Sequence, residues 1–231
     1  MARAETVPEP QAILPALTGR SQLAVVAEIK RRSPSRGHLA PDLDVSTLAA
    51  QYAAGGAAAL SVLTEPAFFD GDLDDIAVAE HASRLPILRK DFILESIQIW
   101  EARAMGASAV LLIAAALTPN ELMALLDDVE RAGLAALVEV HNSYEAKVAV
   151  DLGARIIGVN NRDLASFEVD LGVAEDLAPF LETAEVKVAE SGIFTAADAR
   201  RMQEAGYDAI LVGEALVKSS DPAALIKELS V

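Results

Sequence analysis

A group of acidic, basic and hydroxyl side chains follows a short apolar run near the start of the chain. Residues 27–37 are Ala-Glu-Ile-Lys-Arg-Arg-Ser-Pro-Ser-Arg-Gly. Glu28 and Lys30 occupy alternate positions, so in a strand both side chains would point to the same face. A carboxylate beside an ammonium shifts the pKa of both groups and suits proton transfer. The alternative is an ordinary solvated basic loop, because short motifs give false matches.

Polar residues also follow other short apolar runs. They include Lys90, Glu139, Asn160, Arg162 and Glu190. Buried near one another, such groups would have perturbed pKa values, as groups in proton-transfer sites do. Lys90 is the best candidate for a general acid. A Schiff-base role for the same amine is the alternative.

Regular alternation of apolar runs and amphipathic segments explains how these residues could meet. The predicted strands are Leu23–Ala27, Ala58–Leu63, Ile87–Arg89, Ala109–Ile113, Ala135–Val138, Ile156–Val159, Val186–Ala189 and Ala209–Val212. The predicted helices are Val45–Ala54, Asp72–Ala82, Ser96–Met105, Pro119–Ala132, Tyr144–Leu152, Gly172–Leu181, Ala196–Ala205 and Ala223–Leu229. This pattern predicts an α/β fold, a (β/α)8 TIM barrel. An open doubly wound sheet is disfavoured, because the first turn lacks G-x-G-x-x-G.

The length and the N-terminal composition suggest the domain organisation. The chain has 231 residues, which is a usual size for one barrel. Three prolines among the first fifteen residues predict an N-terminal arm over residues 1–22, with a short helical turn near residues 11–17, before a catalytic barrel over residues 23–231. The chain has no cysteine, no signal-peptide pattern and no apolar run of roughly 18 residues. We therefore expect a cytoplasmic protein.

The charge distribution points to a small anionic ligand. The formal net charge is −16, which disfavours nucleic acids and anionic membranes as partners. Because the carboxyl ends of barrel strands converge on one face, cations just beyond those ends would form a basic pocket; the alternative is that they are scattered. These cations are Lys30, Arg31, Arg32, Arg36, Arg89, Lys90 and Arg162.

Two glycine-containing turns follow the last two predicted strands. They are Ser191-Gly192 and Gly213-Glu214. Barrels often bind phosphate through these two loops, and glycine lets backbone N–H groups approach the anion. Tight turns without a ligand are the alternative. An apolar wall of Phe69, Phe92, Leu164 and Ile193 predicts a ligand with one phosphate end and one flat apolar end.

The three histidines do not suggest a metal site. His38, His81 and His141 are spread over the chain, and no two have metal-ligand spacing. We therefore expect no bound metal.

Eight sequence segments occur along the chain in this order: AEIKRRSPSRG, SVLTEPAFFDG, LPILRKDFI, AVLLIAAAL, ALVEVH, GVNNRDL, AESGI and ILVGEAL. Together they resemble the indole-3-glycerol-phosphate synthase family. The resemblance implies a carboxy-lyase of tryptophan biosynthesis that needs no cofactor and has no evident obligate protein partner. Its substrate would be 1-(2-carboxyphenylamino)-1-deoxyribulose 5-phosphate, which loses carbon dioxide and water as the ring closes. The alternatives are another phosphate-binding barrel isomerase, a lysine-imine aldolase and a degenerate non-catalytic barrel.

The resemblance also implies roles for individual residues. Lys90 would be the general acid on the substrate carbonyl, and Glu139 the base in dehydration. Lys30 would contact the substrate carboxylate and serve as a second acid. The sugar hydroxyls would contact Glu28, Asn160 and Glu190, and the anthranilate end would contact Arg162. The phosphate site would comprise Ser33, Ser191, Gly192, Gly213 and Glu214, and the remaining substrate-binding residues would be Pro34, Phe69, Phe92, Leu164 and Ile193.

Two features depart from the family pattern. Members usually carry a longer N-terminal helical extension that covers the site, whereas about twenty residues precede the first strand here. Glu214 stands where many members have serine. If the phosphate site is intact, the carboxylate of Glu214 must turn away from the phosphate.

Overall fold

The computed structural model describes residues 9–231; the predictions for residues 1–8 lie outside this range. Eight parallel strands form a closed barrel, which confirms the predicted (β/α)8 fold. Each strand pairs with its neighbours in the chain, and β1 closes the barrel against β8. The strands are β1 (Ala24–Ile29), β2 (Ala59–Leu63), β3 (Ile87–Lys90), β4 (Ala109–Ile113), β5 (Ala135–Val140), β6 (Ile156–Asn160), β7 (Val186–Glu190) and β8 (Ala209–Val212).

Helices alternate with these strands and begin near the predicted positions. They are α1 (Ile13–Leu17), α2 (Val45–Gly55), α3 (Pro66–Phe69), α4 (Asp75–Ser83), α5 (Ser96–Ala104), α6 (Pro119–Arg131), α7 (Ser143–Asp151), α8 (Gly172–Leu177), α9 (Ala196–Glu204), α10 (Glu214–Val217) and α11 (Pro222–Leu229). Short 3-10 helices cover Ala114–Ala116 and Ala178–Leu181. Within residues 9–231, no helix has the length and apolarity that a membrane crossing requires.

Local sequence signals explain several helix starts. The Thr118 side chain accepts a hydrogen bond from the backbone N–H of Glu121, and the Glu121 carboxylate accepts one from the backbone N–H of Thr118. Thr195 and Asp198 form the same reciprocal cap before α9. Each cap satisfies backbone donors that the first helical turn leaves free.

The structure corrects some predicted boundaries around the site. β1 starts one residue later than predicted and extends to Ile29, so Glu28 lies inside the strand. β5 continues to Val140 rather than ending at Val138, so Glu139 is also a strand residue. A two-stranded hairpin joins residues 32–33 to residues 37–38, where the sequence predicts a loop. In each case inter-strand hydrogen bonds extend past the apolar run, into polar sequence that hydrophobicity alone does not assign to a strand.

The barrel interior is apolar at the amino ends of the strands. Alternate strand residues pack there, among them Ala24, Ala59 and Ala109. The side chains of Ile13 and Leu17 in α1 are buried against this inner cluster. The Leu23 N–H donates to the carbonyl of Val231 (2.9 Å), so the start of β1 and the C-terminus meet on the same side. At the carboxyl ends of the strands, the barrel interior contains the buried acids Glu28, Glu139 and Glu190.

Candidate active site

A cavity of about 480 Å³ opens at the carboxyl ends of the strands. Every residue that the sequence predicts for the site lines it: Glu28, Lys30, Ser33, Pro34, Phe69, Lys90, Phe92, Glu139, Asn160, Arg162, Leu164, Glu190, Ser191, Gly192, Ile193, Gly213 and Glu214. Parallel register explains this convergence, since Glu139 lies opposite Gly158, and Asn160 opposite Glu190. All around the barrel, alternate residues of each strand point inward, and paired residues of neighbouring strands point to the same side.

The prediction of a basic pocket is wrong, because more acids than cations line the cavity. Three cations line the cavity, namely Lys30, Lys90 and Arg162, against six acids: Glu28, Glu65, Asp91, Glu139, Glu190 and Glu214. The other predicted cations do not line the cavity, although Arg36 lies 3.6 Å from the carboxylate of the lining residue Glu214. Arg31 is paired with Asp75, and Arg89 binds Asp91 and the carbonyl of Gln98. Arg89 precedes the inward-facing Lys90 in β3, so strand alternation sends it to the outer face, whereas Arg31 lies beyond β1 and is directed by its ion pair with Asp75.

Lys90 lies between two buried carboxylates. Its Nζ donates to Oε2 of Glu139 (2.8 Å) and forms an ion pair with Oε2 of Glu190. The Lys90 side chain is 12% exposed, and the side chains of Glu139 and Glu190 are 4% and 2% exposed. A buried lysine between two acids is stabilised in its charged form, provided that its partners remain in place.

The two carboxylates beside Lys90 have opposite pKa shifts. Burial favours the neutral form of both, and it raises the pKa of Glu190 to about 7, with the negative charge of Glu139 adding to the effect. For Glu139, the charge of Lys90, the nearby ring of His141 and the hydrogen bond from Lys90 outweigh burial and hold its pKa well below the ordinary value. Burial also disfavours charged Lys90, but the charges of Glu139 and Glu190 outweigh it and raise the Lys90 pKa. Acids whose pKa values separate in this way can take different roles.

A second pair, Glu28 and Lys30, lies at the end of β1. Their side chains form an ion pair, as the alternate spacing predicts. The Tyr52 hydroxyl donates to the backbone carbonyl of Glu28 (3.2 Å), which fixes the strand end. Gly213 faces this pair, and a Cβ there would approach Oε1 of Glu28 to less than 3.0 Å. The absence of a side chain at position 213 therefore makes room for the carboxylate.

Three buried polar atoms near the site lack a hydrogen-bond partner among the described residues. They are Oγ of Ser61, Nε2 of His141 and Oε1 of Glu190. Ser61 lies opposite Glu28 in the barrel register. Buried polar atoms are normally paired, and of these residues Glu190 lines the cavity, so its Oε1 can accept a hydrogen bond from a bound ligand.

Asn160 joins the central cluster to Arg162. Its Nδ2 donates to Oε1 of Glu139 (3.1 Å), and its Oδ1 accepts from the backbone N–H of Arg162 (3.0 Å). The Arg162 guanidinium donates to the carbonyl of Phe167 (3.0 Å). These bonds hold one edge of the cavity in a single geometry.

The turn after β7 has a strained backbone. Ser191 has φ 65° and Gly192 has φ 81°. Such a conformation is costly for serine and persists where surrounding contacts impose it. Nδ2 of Asn161 donates to the carbonyls of Glu190 (3.0 Å) and Ser191 (3.1 Å), and these bonds impose it here.

The sequence interpretation missed several apolar lining residues. They are Leu63, Phe68, Leu111, Ile113, Phe167, Phe194 and Leu211. Leu111 and Ile113 could have been found from the strand period, because they alternate along β4. Phe167 and Phe194 lie in loops, whose side-chain directions no period predicts.

Gly158 controls the position of Glu190. A Cβ at residue 158 would approach Oε1 of Glu190 to less than 3.0 Å. We expect Gly158→Ala to lower kcat by at least roughly tenfold, because the displaced carboxylate leaves Lys90, and to cost about 1–3 kcal/mol of unfolding free energy. Steady-state kinetics and thermal unfolding measure both effects.

Gly133→Ala is the control for that substitution. Gly133 has φ 69° in a turn at the opposite end of the barrel, so alanine there strains the backbone without reaching the cavity. This variant should lose stability and keep normal kcat. A normal kcat for Gly158→Ala would mean that Glu190 relocates without effect on turnover.

Comparison with known proteins gives a consistent result along nearly the whole chain. A family model described as "Indole-3-glycerol phosphate synthase" matches residues 2–229. "Indole-3-glycerol phosphate synthase 2" of Streptomyces coelicolor is 51% identical over 207 residues, which cover 90% of this chain and 80% of that protein. "Indole-3-glycerol phosphate synthase" of Mycolicibacterium gilvum is 48% identical over 228 residues, covering 99% and 84%.

Solved structures with lower sequence identity share the fold. 3-Hexulose-6-phosphate synthase from Salmonella typhimurium aligns with a TM-score of 0.74 at 13% identity, over 90% of this chain and 97% of that one. Thiamine phosphate pyrophosphorylase from Pyrococcus furiosus aligns with a TM-score of 0.66 at 19% identity, over 90% and 93%. At these identities the likeness concerns the barrel alone.

Proposed function

The chain belongs to the indole-3-glycerol phosphate synthase family, and from this premise we propose that Lys90, Glu139 and Glu190 carry its reaction. The enzyme is a carboxy-lyase of tryptophan biosynthesis. It closes the ring of 1-(2-carboxyphenylamino)-1-deoxyribulose 5-phosphate and releases carbon dioxide and water. The observation that carries the proposal is the position of the Lys90 ammonium between two buried carboxylates at the base of the cavity.

The acid step is assigned to Lys90. Its neighbours raise its pKa, so the amine is protonated at neutral pH and has a proton to donate. Protonation of the substrate keto oxygen makes the carbonyl carbon accept the attack of the aromatic ring. The same charge opposes a Schiff-base mechanism, which needs a neutral amine. Borohydride should therefore trap no substrate adduct on Lys90, and a trapped adduct would favour the aldolase alternative.

The base step is assigned to Glu139. Its lowered pKa keeps it ionised, and the carboxylate is fixed by Lys90 and Asn160. It would remove the proton that leaves carbon during dehydration. Glu190 would bind a sugar hydroxyl through Oε1, which has no partner among residues 9–231. Glu28 and Asn160 complete the proposed hydroxyl contacts.

The two ends of the substrate would bind at opposite sides of the cavity. Lys30 would pair with the substrate carboxylate, and Arg162 would contact the anthranilate end. Apolar side chains would enclose the ring: Pro34, Phe69, Phe92, Leu164 and Ile193. The phosphate would contact Ser33, Ser191, Gly192 and the backbone N–H groups of Gly213 and Glu214. Because the cavity holds twice as many acids as cations, backbone donors are needed to bind this dianion.

The remaining proposals concern the setting of the enzyme. We propose that residues 23–231 act as the catalytic barrel behind an arm of residues 1–22, in the cytoplasm. The acidic net charge and the lack of cysteine support this setting. The proposed mechanism involves no cofactor, metal, nucleic acid, membrane or obligate protein partner.

The test of the function follows indole fluorescence after mixing the protein with the carboxyphenylamino-deoxyribulose phosphate. Fluorescence should grow with wild-type protein and stay flat with the Lys90→Ala variant. Substrate binding without product in the wild type would favour a degenerate barrel. Equal growth in both proteins would remove Lys90 from the mechanism.

We propose that Lys218 keeps the carboxylate of Glu214 turned away from the phosphate. Nζ of Lys218 donates to Oε1 of Glu214 (2.7 Å), and Arg36 lies 3.6 Å from the same oxygen. In Lys218→Met the carboxylate loses this partner and can turn toward the phosphate. We expect KM to rise about fivefold, because two charges 4 Å apart in water interact by about 1 kcal/mol.

Lys147→Met is the matched control for Lys218→Met. Lys147 forms the same i,i+4 ion pair, with Asp151, on an exposed face of α7. Its KM should stay normal. An unchanged KM in Lys218→Met as well would mean that backbone geometry alone directs the Glu214 side chain.

A further inference from the structure

His141 connects the buried acid cluster to the edge of the protein. It follows Glu139 by two residues, and its Nε2 lies 3.3 Å from Oε1 of Glu139. Its Nδ1 lies 3.1 Å from Oε2 of Glu145 in α7, and the backbone N–H of His141 donates to the same oxygen (2.8 Å). The side chains of His141 and Glu145 are each 13% exposed, against 4% for Glu139. The three residues therefore lead from the cavity toward solvent.

The reaction requires a supply of protons at this place. The keto oxygen takes up two protons and leaves as water, while one proton leaves the carbon next to nitrogen when the new double bond forms. The bond between the ring and the carboxylate breaks, its electron pair stays with the ring, and neutral carbon dioxide leaves. Each turnover therefore consumes one proton, which must reach a cluster that is almost fully buried.

We propose that His141 supplies this proton through Glu139 toward Lys90. His141 is a positioning and proton-supplying residue, since it acts through Glu139 and is not placed against the substrate. After Lys90 has given its proton to the substrate, the imidazolium gives its Nε2 proton to Oε1 of Glu139, which lies beside it, while Oε2 faces Nζ of Lys90. The neutral carboxyl group then rotates so that its O–H reaches the free amine of Lys90, and the transfer leaves Lys90 charged and Glu139 ionised again. A solvent proton then recharges the ring. This step rests on the proposed roles of Lys90 and Glu139.

The surroundings of His141 favour a charged ring. Three acids face it: Glu139 on its own strand, Glu145 on α7 and Asp163 after β6. Lys90 is the nearest cation of the cluster, on the far side of Glu139. Burial lowers the pKa of His141, but the close approach of its ring to the negatively charged carboxylates of Glu139 and Glu145 raises it to about 9.

In the free enzyme, His141 and Glu139 are close together but not aligned for proton transfer. Nε2 of His141 is buried and finds no well-aligned acceptor among residues 9–231, although Oε1 of Glu139 is 3.3 Å away. Catalytic hydrogen bonds are often poorly aligned in the free enzyme and tighten when substrate binds. A small rotation of either side chain would align this pair.

The test replaces His141 by glutamine. We expect kcat to fall roughly 100-fold, the low end for a positioned proton donor, while KM changes less than about twofold. Imidazole added to the buffer should restore part of the lost rate, because it replaces the missing donor. His81→Gln, at an exposed histidine of α4, is the control and should behave as the wild type without rescue.

The pH profile gives a readout that a merely structural role would not change. Wild-type kcat should fall as pH rises through about 9, where His141 loses its proton. Glu145→Gln removes a charge that raises this pKa, so the alkaline limb should move to lower pH by on the order of one unit. In His141→Gln this limb should disappear.

Three results would overturn the proposal: normal kcat in His141→Gln, absence of imidazole rescue, or an alkaline limb that Glu145→Gln does not move. None of them would affect the proposed function if Lys90→Ala remains inactive. An active Lys90→Ala variant would instead remove the proposed function, and with it the step that His141 serves.

Discussion

Replacing Lys90 by alanine is expected to lower kcat by roughly 10³- to 10⁴-fold, the upper range for the loss of a positioned acid. The variant lacks the ammonium that protonates the keto oxygen, and no other described cation lies between Glu139 and Glu190. Turnover is measured by indole fluorescence at saturating substrate. Circular dichroism and thermal unfolding show whether the barrel is intact.

The fold should survive the loss of this cation. Removing one partner of a buried ion pair commonly costs about 3–5 kcal/mol, but a carboxylate that takes up a proton avoids most of that cost. Burial and the charge of Glu139 already raise the pKa of Glu190 to about 7, so Glu190 is the group that becomes neutral. We therefore expect Lys90→Ala to fold at neutral pH.

The Lys90→Arg variant tests whether the reaction needs a proton that can be transferred or only a positive charge at this position. The guanidinium keeps the positive charge between the two glutamates, but it does not give up a proton at any pH where proteins are stable. We expect this variant to be as inactive as Lys90→Ala. Substantial turnover in Lys90→Arg would mean that electrostatic attraction alone activates the carbonyl.

Replacing Glu139 by glutamine is expected to lower kcat by roughly 10²- to 10³-fold and to leave KM nearly unchanged. The amide has almost the same shape, and its one oxygen can still accept from Lys90, whereas its NH2 group replaces the oxygen that accepts from Asn160. It cannot remove a proton from carbon. Initial rates over a range of substrate concentrations separate kcat from KM.

The order of product release makes this test sharper. If Glu139 is the base of dehydration, the variant should release carbon dioxide faster than it forms the indole. Labelled carbon dioxide and fluorescence are followed in the same single-turnover experiment. Equal slowing of both signals would place Glu139 before decarboxylation, and a change confined to KM would make it a binding residue.

The fold was largely predictable because its signal is periodic. Apolar runs and capped amphipathic segments repeat eight times, and alternation along a strand is enough to bring Glu28 and Lys30 to one face. The predicted basic pocket was wrong because Arg31 and Arg89 were grouped with their neighbours by charge. The strand parity of Arg89, which directs it outward, was visible in the sequence, whereas the pairing of Arg31 with Asp75 depends on how the loop after β1 packs.

Other parts of the site had no such signal. The contact between His141 and Glu145 joins a strand end to the following helix, and its distance depends on how the two elements pack. The clearance at Gly158 depends on the direction of the Glu190 side chain across a neighbouring strand. The hairpin of residues 32–38 forms where polar sequence gives no strand period.

The meeting of Leu23 with Val231 has a practical consequence for tethering. Leu23 lies just before β1, at the amino ends of the strands. Its hydrogen bond to Val231 places residue 231 on the same side of the barrel. The cavity opens on the other side. A scaffold, resin or second enzyme attached through Val231 would therefore hold the barrel with its mouth toward solution, free to exchange substrate.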